Sequence, residues 1–234
     1  MEKSKKLIIF GTEDFADIAY EYFTHDSEYE VAGFTVDAAY LKESHKFGLP
    51  VVAFESVHEH FAPDTHDMFV AIVYAQLNRL RAAVCERARQ RGYALASYVS
   101  SRAFVWRNAQ LGEHCFIFED NTIQPFVKIG SNVIAWSGNH IGHHSRIGDN
   151  CFLTSHVVVS GWCAIGDNTF VGVNTTMANN TRIGAFCWVG HGSNIAGDVP
   201  DGSLVKAPPS EISPLNEAAL FRVLARSSRK RAES

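Results

Sequence analysis

The chain has 234 residues, 46% of them hydrophobic and 20% charged, with 17 Gly, 7 Pro and a formal net charge of -4. That composition belongs to a globular protein of one large or two modest domains. No apolar run reaches the roughly 18 residues of a membrane span, and Met1-Glu-Lys-Ser-Lys-Lys leads straight into a short apolar strand, so neither membrane insertion nor secretion is expected and a cytoplasmic location is.

Mild acidity argues against a nucleic-acid groove, and the basic tail Arg222, Arg226, Arg229, Lys230, Arg231 reads as a solvated terminus. Five cysteines with no CxxC pair and no finger spacing exclude a disulfide framework and structural zinc.

In chain order, Leu7 to Gly11 reads as a short buried strand, and Phe15, Ile18, Ala19 and Tyr22 give the stretch from Glu13 to Phe23 helical spacing. A second strand is expected from Tyr29 to Val36 and a third, buried on both faces, from Met68 to Tyr74. Gln76 to Arg91 has the pattern of an amphipathic helix stopped by Gly92, and Ala94 to Val99 that of a fourth strand. Strands alternating with helices imply βαβ units and a small parallel sheet.

From Val99 onward the period becomes six. Stepping by six from Val99 to Ile195 visits 17 positions, of which 15 are Val, Ile or Leu. Gly follows the aliphatic at 112, 130, 142, 148, 166, 172, 184 and 190, and the residue four after it is small or compact, as at Cys115, Cys151, Cys163 and Cys187. A six-residue period is neither helical nor a simple strand alternation; it is a signature of a parallel β-helix solenoid. The frame runs without insertion to Pro200, so any site must lie on the faces or edges of the prism. Ser213 and Pro214 have the character of an N-cap and first turn opening a terminal helix through Leu215, Ala219, Phe221 and Leu224.

The repeated aliphatic-Gly-x-x-small-x unit resembles the hexapeptide acyltransferases. Coming after a small α/β domain, it is similar to the bacterial sugar acyltransferases that include sialic acid O-acetyltransferases and N-acetyltransferases of nucleotide-linked 4-amino-sugars. The resemblance implies a Rossmann-like α/β nucleotide-sugar-binding domain over 1–98, a left-handed parallel β-helix of three hexapeptides per coil over 99–207, and a C-terminal helix and tail over 208–234. It also implies a homotrimer, acetyl-CoA as co-substrate in a groove between neighbouring β-helices, and a nucleotide-linked sugar against the α/β domain. The four tryptophans Trp106, Trp136, Trp162 and Trp188 are compatible with burial between such subunits.

Four of the eleven histidines lie within 17 residues: His140, His143, His144 and His156. Because Ile141 and Ile147 point inward in the six-residue frame, His140, His143 and His144 fall on turns or outward faces. Acyl transfer from a thioester needs a base for the nucleophile's proton, and an imidazole suits it. The family's register, counted back from Gly148, places His143 on the catalytic position, with His140, preceded by Asn139, as the competing base and Asn139 itself expected to bind substrate. His144 stands where the family usually has an acid, so the orienting carboxylate is not identified. His156 is expected either to hydrogen-bond the substrate or to pack. His114 and His191, alone in their repeats, read as surface residues.

In the α/β domain, Gly11-Thr-Glu-Asp-Phe-Ala16 matches the family's Gly-rich turn only in part, since Glu13 and Asp14 put negative charge where a diphosphate wants none. The string also resembles the opening turn of folate-dependent formyltransferases, a fold with no place for the solenoid. Asp37 matches a family acid that contacts the nucleotide, and equally reads as a turn residue after a strand. The leading expectation is acetyl-CoA-dependent N-acetylation of a nucleotide-linked amino-sugar for a surface polysaccharide or glycan, by direct attack with a histidine base and backbone N–H groups of the coil on the oxyanion. O-acetylation of a sugar is the alternative. A γ-carbonic-anhydrase-like hydratase is remote, because its histidine spacing is absent, and no metal is expected. Neither a non-catalytic scaffold nor nucleotidyl transfer uses these residues.

Overall fold

A computed structural model of the protein describes residues 3–210. The terminal helix expected after Ser213 and the basic tail lie outside the described residues.

The first elements form where the hydrophobic pattern puts them: β1 (Lys5–Phe10), α1 (Asp14–His25) and β2 (Tyr29–Val36). Leu7, Ile8 and Ile9 are fully buried, so β1 reads as a continuous apolar run because both its faces are covered. The sequence pattern passes over the next pair, β3 (His45–Lys46) and β4 (Leu49–Ala53), two short antiparallel strands. Both residues between them, Phe47 and Gly48, have positive φ, the backbone of a tight two-residue hairpin turn. A single helical turn, α2 (Val57–His60), leads to β5 (His66–Val70) and α3 (Arg79–Gln90). The sheet order is β3-β4-β2-β1-β5, parallel apart from the β3/β4 pair.

Three elements depart from the sequence pattern. β5 stops at Val70 rather than Tyr74 and α3 starts at Arg79 rather than Gln76, because Gln76, Leu77 and Asn78 all take left-handed φ values of 52°, 52° and 65°. That turn is incompatible with either regular element. The strand expected over 94–99 meets the sheet only through one parallel bridge, of Leu95 to Met68 of β5, and Tyr98–Val99 is already the first rung of the solenoid.

The solenoid consists of two-residue strands stacked into three parallel sheets of seven, six and five strands, which we number face 1, face 2 and face 3 in the order the chain visits them. Each residue pairs with the one 18 positions on, as Thr122 does with His140 and His140 with Val158, so one coil is three hexapeptides. The aliphatics of the six-residue frame point inward with Cys115, Cys151, Cys163 and Cys187 into one continuous core. Val99 is the exception at 38% exposed, since no coil lies before it.

The glycine after the aliphatic is there for closeness of approach. A Cβ on Gly148 would stand 2.2 Å from Asp167 Oδ1 and 2.8 Å from its backbone N, on the next coil. At that corner each Asp side chain accepts from the backbone of the previous coil, as Asp167 Oδ1 does from Asp149 N–H at 2.8 Å. The corners turn through a left-handed residue every six positions, among them Asp120, Asn132, His144, Asn150, His156 and Trp162; Asn and Asp tolerate this region best. The frame slips after Ile195, where Val199, not the expected position 201, pairs with Ile183.

The α/β unit sits on face 1. The outward side chains Phe116, Ile134, Phe152 and Phe170 are buried against Phe15 and Phe23 of α1 and neighbouring apolar residues, with edge-on aromatic contacts at 5–6 Å. Trp136 and Trp188 pack into this contact within the chain and are partly buried by it. Trp106 and Trp162 are 40% and 58% exposed.

The second tie is polar. Arg81 of α3 is fully buried and donates from Nε to Asn132 Oδ1 (2.9 Å) and from Nη1 and Nη2 to the backbone oxygens of Val73 (2.7 Å) and Asn132 (3.0 Å). Burial pulls its pKa down to about 10. His114, expected on the surface, is fully buried in the same cluster. Its Nε2 accepts from Val70 N–H at 2.8 Å and its Nδ1 bonds Asn132 Oδ1 at 2.7 Å. Desolvation pulls its pKa down to about 3, so the ring is neutral.

Candidate functional site

The four clustered histidines separate onto three parts of the prism. His140 lies on face 2, half-buried, between Thr122 and Val158 of the adjoining coils. His143 and His144 occupy the corner that follows, between faces 2 and 3, and His156 is on the corner between faces 1 and 2. The sequence frame places all of them outside the core, and the structure agrees. Asn139, expected to touch substrate beside His140, does not: it is 1% exposed, its Nδ2 donates to Trp136 O, and its Oδ1 accepts from Val157 N–H at 2.7 Å. It is a corner residue that staples two coils.

His143 and His144 are the pair the fold brings together. Their Nδ1 atoms are 3.1 Å apart, a hydrogen bond in which one ring donates and the other accepts. His144 is clamped between two aromatic rings, stacked on Phe126 at 4.6 Å and on Trp162 at 4.1 Å with interplanar angles of 25° and 12°. The 18-residue coil puts 126, 144 and 162 one above another, which creates the stack. His143 stands edge-on to Trp162 and lies over Gly161, where a Cβ would come within 2.7 Å of both Cε1 and Nε2. Among the described residues nothing hydrogen-bonds His143 Nε2, and the ring is exposed.

The backbone donors beside the pair are already committed. His143 N–H donates to Gln124 Oε1 (2.9 Å) and Gly161 N–H to Asn179 Oδ1 (2.9 Å), so the expected backbone oxyanion donors are not found at these two positions. His156 sits over Gly138 as His143 sits over Gly161, but on another corner and without a side-chain partner among the described residues. No three His, Cys, Asp or Glu side chains converge as metal ligands among the described residues.

A concavity of about 660 Å³ lies at the carboxyl ends of β1 and β2, where open parallel sheets bind ligands. Gly11, Glu13, Asp37, Lys42, His45 and Lys46 contribute to its wall. Gly11 has φ of +125° and its N–H donates to Thr35 O at 2.8 Å, so the first donor of the turn continues the sheet. Glu13 is the N-cap of α1. Asp37 is not a free acceptor, because both carboxylate oxygens take hydrogen bonds from Arg87 of α3, which raises the pKa of Arg87.

Sequence reasoning missed Phe126, Gly161, Trp162 and Gln124 around the pair, and the lock of Arg81 with His114. The first group is visible as an 18-residue spacing once the coil length is known. The second carries no local signal, since Arg81 is one of four arginines on an amphipathic helix and reads with the others as a solvated face.

The profile of the family described as Bacterial transferase hexapeptide (six repeats) matches residues 126–161. No curated protein matches the chain in sequence. PerB from Caulobacter crescentus, solved in complex with CoA and GDP-perosamine, is similar at 26% identity with a TM-score of 0.74, over 85% of this chain and 92% of that one. That enzyme, a perosamine N-acetyltransferase, has also been solved in the same complex with one histidine replaced by Asn or by Ala. The acetyltransferase domain of PglB from Neisseria gonorrhoeae FA1090 shares the fold at 20% identity, with a TM-score of 0.76, over 86% of this chain and 96% of that domain. WeeI from Acinetobacter baumannii AYE does so at 18% identity, with a TM-score of 0.59, over 90% of this chain and all of its own. The hexapeptide profile, the parallel α/β unit docked on one face of the solenoid and the likeness to PerB over most of both chains make this chain similar to the hexapeptide-repeat sugar acyltransferases.

Proposed function

We propose that the protein transfers the acetyl group of acetyl-CoA to the amine of a nucleotide-linked amino-sugar, with His143 as general base. The observation that carries the assignment of the base is the corner geometry: His143 has a partnered Nδ1, an unencumbered Nε2 and a glycine beneath the ring, whereas His140 has no side-chain partner among the described residues to fix its tautomer. The amine attacks the thioester carbonyl, Nε2 of His143 takes the amine proton, and the C–S bond breaks. The same proton returns to the departing thiolate, so the ring ends neutral and the products are the amide and CoA.

The face beside His143 fits CoA in charge. Lys128, Arg146 and Arg182 stand outward and exposed on face 3 at registers that align them along the prism, cations suited to the phosphates of CoA. The sugar nucleotide is assigned to the cavity of the α/β unit, where Lys42, His45 and Lys46 oppose Glu13 and Glu43.

Within one copy the α/β unit covers face 1, while His143 lies between faces 2 and 3. A substrate held by one copy therefore meets the base of another, which supports an assembly of copies, a homotrimer of left-handed coils in the family it resembles. The test is thiol release from acetyl-CoA with GDP-perosamine and a panel of UDP-, dTDP- and GDP-linked amino- and hydroxy-sugars. Release with an amino-sugar is the expected result; release only with hydroxy-sugars would replace N- by O-acetylation.

A further inference from the structure

We propose that His144 is the positioning residue of the base: a neutral imidazole, locked between Phe126 and Trp162, accepts the Nδ1–H of His143 and so leaves Nε2 bare for the substrate proton. This rests on His143 acting as base.

The Nδ1 atoms at 3.1 Å hold one hydrogen between them, and its direction decides the chemistry. With His143 donating, its Nε2 carries a lone pair over Gly161; with the donor reversed, Nε2 carries the hydrogen and accepts no proton. The geometry fixes which atom of His144 meets the base: both ring faces are stacked and only its edge reaches His143, so Nδ1 is the atom that accepts when His143 donates. It is therefore an orienting group without charge. The preceding coil brings Gln124, Phe126 and Lys128 to this corner, and the following coil Ser160, Gly161, Trp162 and Ala164. The pair's own coil adds His140 and Arg146. None of these is a carboxylate, so no carboxylate among the described residues of this chain offsets the positive charge of a protonated His143 there. A carboxylate partner orients and also stabilises the imidazolium; this corner only orients.

Three substitutions separate the two contributions. Position 144 has φ of 60°, the region other corners here fill with Asn150 or Asp120, so Asn and Asp fit without strain. His144→Ala removes the acceptor, and kcat is expected to fall roughly 10- to 100-fold with the acetyl-CoA KM changed less than about threefold. His144→Asn restores a neutral acceptor and should recover kcat to within about threefold of the parent. His144→Asp adds charge and should move the acid limb of kcat/KM up by about one pH unit. Rates are measured with acetyl-CoA and GDP-perosamine, or with the panel member turned over fastest.

A parent-like kcat in His144→Ala, or an acid limb unmoved in His144→Asp, overturns the proposal. Failure of the base itself reads differently, as undiminished turnover in His143→Ala. The tautomers are read without substrate, by long-range nitrogen-15 correlation on histidine-labelled protein. His143 is expected as the Nδ1–H form in the parent and as a mixture in His144→Ala; an unchanged ring in that variant also contradicts the proposal.

Discussion

At the scale of single residues, the two glycines beneath histidine rings are informative because they are defined by what they leave empty. Gly161→Ala places a methyl within 2.7 Å of the His143 ring and must push it off the corner, so kcat is expected to drop at least tenfold while the fold persists. Steady-state kinetics beside a thermal melt checks this; unchanged kcat would mean that the ring does not work where it stands. His114 gives a pH signature of another kind. Folded, its ring stays neutral above about 3; unfolded, it takes a proton below the ordinary 6.5. Unfolding therefore takes up a proton in that window, and stability falls as pH drops from 6.5 toward 3, by up to about 1.4 kcal/mol per pH unit. Urea titrations across this range show the slope. His114→Gln, which can still accept from Val70 and donate to Asn132, should remove that part of it.

Elements show most clearly why some of the structure was readable in the sequence and some was not. The solenoid is written by a local rule repeated: an inward aliphatic, a glycine where the next coil comes too close for a Cβ, and a compact residue inside. Gly148→Ala tests the rule directly, because the added methyl meets Asp167 Oδ1 and N at 2.2 Å and 2.8 Å. A loss of roughly 1–3 kcal/mol in unfolding free energy is expected, and a neutral result would refute the close-approach reading. The α/β strands β1 and β2 were legible for the same reason, being continuous or periodic in their own residues. The β3/β4 hairpin was not, since Phe47 is an unlikely residue for positive φ and the strands are short. The left-handed turn at 76–78 is set by tertiary contacts, with Arg81 bonding Asn78 Oδ1 and Val73 O, and periodicity runs through it unawares. The histidine cluster was found as a cluster, but its partition between corners, and the burial of Asn139 and His114, depend on neighbours 18 or more residues away.

For the whole molecule, the decisive arrangement is an α/β unit bound to face 1 by an aromatic layer and a buried guanidinium. Arg81→Leu leaves the backbone oxygens of Val73 and Asn132 without their donors and removes one of the groups that bond Asn132 Oδ1, and should cost about 3 kcal/mol or more. Calorimetry that shows no drop in midpoint would mean that the two parts are held by the aromatic layer alone. Because that docking leaves the α/β cavity and the His143 corner on different sides of one chain, the active assembly is expected at three times 25.9 kDa by light scattering. A monomer with full activity would disprove the shared site. The central claim is that the proton of the sugar amine goes to His143, and the most direct measurement is kcat with acetyl-CoA and the best amino-sugar for His143→Ala and His140→Ala side by side. A fall of about 10²- to 10⁴-fold in the first, with the second within about tenfold of the parent, is the expected result; the reverse order, or near-parent turnover in His143→Ala, would contradict it.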